Sequence, residues 1–511
     1  MLRGQDSDHK VMNLKSKDTA MSGTSWNPQA TSGLNLARRT FLRTSVLSLG
    51  SIALASLLPR RHFADVIGGT TGDPGKEKPP FELGAATTKR VILIFAAGGL
   101  SQLDLFDEKP LLNKRRGEEL PDSVRKGQRI TGVTEKQGAL PVVGSCFKFK
   151  PYGKSGLRLC ELFREMGAFA DDMCLVRSMQ TDHVLHEAAM SILFTGSQQL
   201  GRPSWGSWMS YALGSENKDL PEFVVLLSGT RDGGSPPHPR MWHNGYLAGR
   251  YQGCPFRGGK EPVFFVANPD GIDAKARRRI LDSVKALNEL EAAETGDPEV
   301  AARIQAYEMA ARMQTSVPEL TDLSKEPDDV LEQYGAEPGK ETFANNCLLA
   351  RRLAERGVRF IQLMDGGWDH HYNIPVMLKQ KMEQADKPIA ALLRDLKFSG
   401  LLEDTLVIFC GEFGRTSYCE GPMSYASYGR DHQQLCGGLL LIGGGFRGGF
   451  SYGQTDEWGW DVVKDPVHVH DLQATVLHAL GLNHMKVVTR YQGRDFRLTD
   501  VAGNVIKPLL G

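Results

Sequence analysis

Thr405-Leu406-Val407-Ile408-Phe409-Cys410, followed at once by Gly411-Glu412-Phe413-Gly414-Arg415-Thr416, decides the reading of this chain. Its first half is apolar without the alternation of a half-solvated strand, so it reads as a strand buried on both faces, the habit of parallel strands covered by helices. Similar runs recur at Arg90 to Ala96, Met173 to Val176, Phe223 to Leu227, Val263 to Val266, Val358 to Leu363 and Leu439 to Ile442. Helical patterns separate them, over Leu157 to Ala170, Ala274 to Leu290, Pro298 to Met313, Thr342 to Arg356, Pro375 to Leu396 and Asp471 to Leu480. Strands alternating with helices predict an α/β fold, a doubly wound and mostly parallel sheet sandwiched by helices. The adjacent charged helices mark an inserted helical hairpin at about 272–316, and 113–145 reads as an irregular insertion.

The chain has 511 residues, 41% hydrophobic and 24% charged, enough to bury a large core. Lys+Arg 61 against Asp+Glu 60 leaves a charge of +1, so no overall field would concentrate nucleic acid around it. The eight cysteines form no C-x-x-C pair and are too sparse for a disulfide scaffold. Residues 1–36 are polar and without hydrophobic period, and read as a disordered extension. In 37–64, Arg38-Arg39-Thr40-Phe41-Leu42-Arg43 runs into the apolar stretch Thr44 to Leu58. That stretch is shorter than the about 20 residues of a bilayer span. The segment resembles a twin-arginine export signal, which implies the twin-arginine machinery as a partner and a periplasmic or cell-surface destination, with no integral membrane domain. A Gly/Pro/Lys linker at 65–80 leads to one domain over 81–511.

Ligands of an open parallel sheet bind beyond the carboxyl ends of its strands. Acids and imidazoles stand at those ends: Asp104 after Gly98-Gly99, His183 and His186 after Thr181-Asp182, Asp369-His370-His371 after Gly366-Gly367-Trp368, Glu412 after Gly411, and His432 after Gly429-Arg430-Asp431. Oxygen and nitrogen donors on rigid strand ends suit a hard or borderline divalent ion. Zinc, calcium and manganese all fit, and no cysteine is near enough to the pattern to suggest a thiolate site.

The leader, Gly98 to Asp107, Gly367-Trp368-Asp369, Gly411 to Thr416, Gly429 to His432 and His468 to Leu482 together resemble the domain-of-unknown-function 1501 family of the sulfatase-like, alkaline phosphatase-like superfamily. The resemblance implies a metal set of Asp104, Asp369, His371, Glu412 and His432, with Glu412 in place of a late Asp and Phe413 where a metal-binding His is usual. It departs at the nucleophile: counting back ten residues from Gly196 lands on His186, where superfamily enzymes have Ser, Thr or modified Cys. His186 is either a ligand, with a water as nucleophile, or itself the nucleophile. Arg415 and Arg430 would hold substrate oxyanions, His183 would protonate a leaving group, and His470 would line the substrate pocket. The resemblance thus implies an exported metal-dependent hydrolase of sulfate or phosphate esters, on a small molecule or a polysaccharide. The alternative is a sulfatase-like pseudoenzyme that binds or assembles at the cell surface.

Overall fold

The computed structural model describes residues 81–511 apart from 82, 129, 229–237, 258–261, 264–267, 269–270, 297, 422 and 425. The expected disordered extension, export signal and linker lie outside the described residues, as does the expected strand Val263 to Val266 beyond its first residue.

A nine-stranded sheet organises the chain. Its strands are β1 Arg90–Ala96, β2 Met173–Gln180, β3 Phe223–Ser228, β4 Cys254–Phe256, β5 Phe360–Asp365, β6 Thr405–Cys410, β7 Gly437–Gly443, β8 Phe450–Tyr452 and β9 Val467–His468. The order is β8-β2-β7-β6-β1-β5-β3-β4, with β9 beside β2. Strand β1 lies between β5 and β6 and runs parallel to both. Among the described strands of this sheet only β7 is antiparallel to its neighbours, β6 and β2. Two reversals cancel, so β2 points the same way as β6, and β1, β2, β5 and β6 all present their carboxyl ends to one edge.

Both faces of the sheet are covered, as the unbroken apolar runs require. In β1, Ile92, Ile94 and Ala96 join the core that includes Leu348 and Leu353 of α5 (Phe343–Glu355) and Leu392 and Leu396 of α6 (Ile374–Phe398). Val91, Leu93 and Phe95 join the opposite core, with Phe194 of α1 (His186–Thr195), Trp208 of α2 (Trp205–Leu213) and Val476 of α7 (Val469–Ala479). The inserted hairpin is α3 (Ala274–Thr295) and α4 (Pro298–Thr321). Helix α3 is capped by the Asp273 carboxylate at its start and by left-handed Gly296 at its end. Among the described residues no helix is long and apolar enough to cross a membrane.

One expected helix is absent. Leu157 to Ala170 begins as a strand, Leu157–Cys160, paired antiparallel with Phe149–Tyr152, and ends in a 3-10 segment at Met166–Asp172. Leu157 and Leu159 are buried while Arg158 is exposed, a period of two that favours a strand.

Candidate metal centre

Four side chains meet at that carboxyl edge: His186, Asp369, His371 and His432, whose ligand atoms all lie within 4.8 Å of one another. His186 opens α1, Asp369 and His371 follow β5, and His432 sits on a two-stranded ribbon where it pairs directly with Arg415. Close backbone approach permits the meeting. Gly98, with φ of +122°, turns the chain after β1 where a Cβ would lie 2.4 Å from the Asp369 nitrogen. At Gly429 a Cβ would lie 1.7 Å from the His371 carbonyl oxygen.

Each imidazole is oriented by a partner on its far nitrogen. His186 Nδ1 lies 2.6 Å from Glu412 Oε1, His371 Nδ1 lies 2.5 Å from Glu420 Oε2, and His432 Nδ1 lies 2.8 Å from the Val184 carbonyl oxygen. All three acceptors require Nδ1–H, so every neutral ring turns a bare Nε2 inward. Those Nε2 atoms face Asp369: His186 at 3.1 Å from Oδ2, His371 at 2.9 Å and His432 at 3.3 Å from Oδ1. The Nε2 atoms of His371 and His432 are themselves 3.1 Å apart. Lone pairs pointed at a carboxylate and at each other repel unless a positive charge lies among them. These contacts of 2.9 to 3.3 Å are close to the about 3.3 Å between ligand atoms around a tetrahedral ion with bonds of about 2.0 Å, and with all four ligand atoms within 4.8 Å of one another the donors are near enough to share one ion.

Protons supply that charge in the metal-free protein. Burial disfavours the imidazolium of His186, but bonds to Asp369 and Glu412 outweigh it and push the group up to about 9. His371 reaches about 9 in the same way, with burial outweighed by Asp369 and Glu420. Burial, with Arg415 and His186 adding to it, holds His432 down at about 4 despite its contact with Asp369. Asp369 is held far below the usual carboxylate range, its burial outweighed by the three imidazoles and Arg415.

The other expected site residues lie around this group. Glu412 is fully buried and stands behind His186, its oxygens also accepting from the Gly98 nitrogen at 3.1 and 3.2 Å. Arg415, expected to face substrate, is fully buried instead. Its Nε and Nη1 donate to the carbonyls of Gly99 and Arg430, and Nη2 donates to the Gly98 carbonyl and, at 2.5 Å, to Asp369 Oδ1. Asp104 is outside the group of four, bonded to Arg430 Nε at 2.8 Å and to the Tyr428 hydroxyl at 2.7 Å. Arg430 is equally buried, and its Nη1 donates to the carbonyls of Val143 and Thr416, so neither Asp104 nor Arg430 faces the centre. His183 lies on the loop before α1 with its Nδ1 buried and without a hydrogen-bond partner among the described residues. His470 lines a separate cleft.

Phe413 packs against two of the rings, 5.1 Å from His186 and 4.5 Å from His432 between centroids, and closes that side with an apolar wall. Sequence reading missed Glu420 and Val184. A second acidic group, Asp431, approaches His371 and Glu420, its Oδ2 accepting from Thr131, Thr134 and Tyr418.

None of the curated proteins matches the chain. Among solved structures it is similar to the PsFucS1 sulfatase from Pseudoalteromonas sp., at 10% identity and a TM-score of 0.33, over 77% of this chain and 68% of that one. It is likewise similar to the alkaline phosphatase from the Antarctic bacterium TAB5, at 11% identity and a TM-score of 0.32, over 77% and 98%. Ps i-CgsB in complex with k-i-k-neocarrahexaose gives 11% identity and a TM-score of 0.34, over 77% and 72%. A family model matches residues 88–510, nearly the whole described domain and all four convergent residues, so the chain belongs to the family described as Protein of unknown function (DUF1501).

Proposed function

We propose that the protein is an exported, single-metal hydrolase of sulfate or phosphate esters. The observation that carries this reading is the convergence of three imidazole Nε2 atoms on Asp369, each ring having its Nδ1 engaged by a separate acceptor. A divalent ion bound there would act as a Lewis acid on an ester oxygen. His186, His371, His432 and Asp369 would hold it, with Glu412, Glu420 and the Val184 carbonyl fixing the imidazoles in the ligating tautomer. Arg415 positions Asp369 through its buried ion pair. His183, one residue from that carbonyl, is the proton donor to the leaving group. On this reading His186 is a ligand, and Asp104 and Glu412 serve the scaffold.

Charge favours a divalent ion. Asp369, Glu412 and Glu420 against Arg415 leave two negative charges in direct contact with the rings, balanced in the metal-free protein by protons on His186 and His371. Zinc uptake at pH 7 is expected to release close to two protons, because both groups are pushed up to about 9. Titration calorimetry in buffers of different ionisation enthalpy reads that number. Apparent affinity should rise with pH until about 9, and release of no protons would contradict the ligand assignment.

Metal analysis of protein purified after native export, followed by a panel of aryl sulfates and phosphates, tests the function. One equivalent of metal and hydrolysis of at least one ester class are expected, and His186→Ala should remove both. Metal content and turnover unchanged in that variant would sink the reading. A second reading, a metal-holding pseudoenzyme, is favoured by the engagement of Arg415 and Arg430 inside the fold, which leaves neither to bind an oxyanion. Full metal with no hydrolysis by the parent would select it. Export itself rests on Arg38-Arg39: the variant Arg38→Lys with Arg39→Lys should retain the precursor inside the cell, and normal export would refute the signal.

A further inference from the structure

A cleft of about 490 Å³ lies at the start of α7, lined by His468, His470, Met485, Arg497, Val501 and Asn504. His470 Nε2 donates to the carbonyl of Gly196, the residue that caps α1, at 2.9 Å. Ten residues along that helix at about 1.5 Å each place this wall about 15 Å from His186, clear of the metal centre.

The polar edges of the cleft have fixed senses. Because His470 Nε2 donates, its Nδ1 is a lone-pair acceptor in the neutral ring. His468 Nδ1 accepts from the His470 nitrogen at 3.2 Å, so its Nε2–H is a donor, 3.4 Å from the exposed Asp182. The Asn504 amide nitrogen donates to Asp471 at 3.1 Å, so its oxygen is left as an acceptor. Asp471 also accepts from the backbone nitrogens of His468 and Asn504, so its oxygens are engaged in the wall. Arg497 Nε donates to the Asp500 carbonyl, and its other contact is the thioether of Met485, a weak acceptor. Its guanidinium has no carboxylate partner among the described residues. Val501 and Met485 are 83% and 56% exposed and add apolar surface.

A bare anion would use the cation and leave the imidazole and amide acceptors facing negative charge. A neutral apolar ligand would leave all the polar edges unpaired. A hydroxylated ring carrying one acid group matches the set: hydroxyls donate to His470 Nδ1 and the Asn504 oxygen, the acid group meets Arg497, and the ring's C–H face covers Val501 and Met485. We propose that this cleft binds a sugar unit of an acidic polysaccharide. Binding there needs no metal; only the further step, that the same polysaccharide carries the ester hydrolysed at the metal centre, rests on the function proposed above.

Calorimetry on the full chain, metal-loaded and chelator-treated, tests it with a chondroitin 4-sulfate tetrasaccharide, maltotetraose and inorganic sulfate as probes. The sulfated tetrasaccharide should bind at least about tenfold more tightly than either control, equally with and without metal. Arg497→Gln should weaken it at least about fivefold, and Val501→Glu, a change at an exposed position that leaves the fold untouched, should do the same by charge repulsion. Equal affinity for inorganic sulfate, absence of binding, dependence on metal, or retained affinity in either variant would each overturn the proposal.

Discussion

Asp369→Asn is expected to lower zinc affinity by at least about 100-fold and to destabilise the metal-free protein by about 3–5 kcal/mol. Two losses combine. The amide keeps an oxygen but not the charge that balances the ion, and its NH₂ group presents donors where the protonated His186 and His371 already compete for acceptors. Behind it, Arg415 is fully buried, and Asp369 is its carboxylate partner. A buried guanidinium left without its counter-charge accounts for most of the destabilisation. The pH dependence separates the two parts. His186 and His371 have folded values near 9 against an ordinary 6.5, so the stability they contribute is fully present below about 6.5 and is lost as pH rises through 9. Asp369 is a principal cause of both shifts. The stability gap between parent and variant, measured by urea unfolding in chelator, should be widest below pH 6.5 and narrow toward pH 9. A variant that binds zinc like the parent would remove Asp369 from the ligand set.

The same residues explain what the sequence revealed and what it could not. Runs such as Thr405 to Cys410 are legible because burial on both faces leaves no room for polar alternation. They carry no sign of direction, so the antiparallel setting of β7 emerges only from its pairing with β6 and β2. His186, Asp369, His371 and His432 were legible as donors at strand ends. Their order of contact was not, because a carboxylate that orients an imidazole has the same composition as one that would bind the ion. Glu412 therefore read as a ligand although it lies behind His186. Val184 acts through its backbone carbonyl, which any residue supplies, and Glu420 lies in a loop beyond the strand-end pattern. The two arginines misled for a related reason. An arginine beside an acidic strand end attracts an anion or satisfies an internal carboxylate according to burial, and only the packing of Gly98, Gly99 and Val143 around them decides it.

Asp104→Asn is the second large effect, and it separates scaffold from metal site. Both Asp104 and Arg430 are fully buried, joined at 2.8 Å, with Ser101 and Tyr428 hydroxyls donating to the remaining carboxylate lone pairs. Burial raises the Asp104 carboxyl, but Arg430 and these hydroxyls outweigh it and hold the group below its ordinary value. Its stabilising contribution is therefore present above the ordinary carboxylate range and lost as pH falls through its depressed folded value. Removing the charge leaves Arg430 unpaired in the core, which should cost about 3–5 kcal/mol in urea unfolding. Unlike the Asp369 variant, the loss should stay constant between pH 6 and 9, because none of the described histidines hydrogen-bonds to this pair. The refolded variant should still hold one equivalent of metal, since none of the four convergent side chains bonds Asp104. Loss of metal at an unchanged urea midpoint would reverse the assignment and return Asp104 to the ligand set that the family resemblance implies.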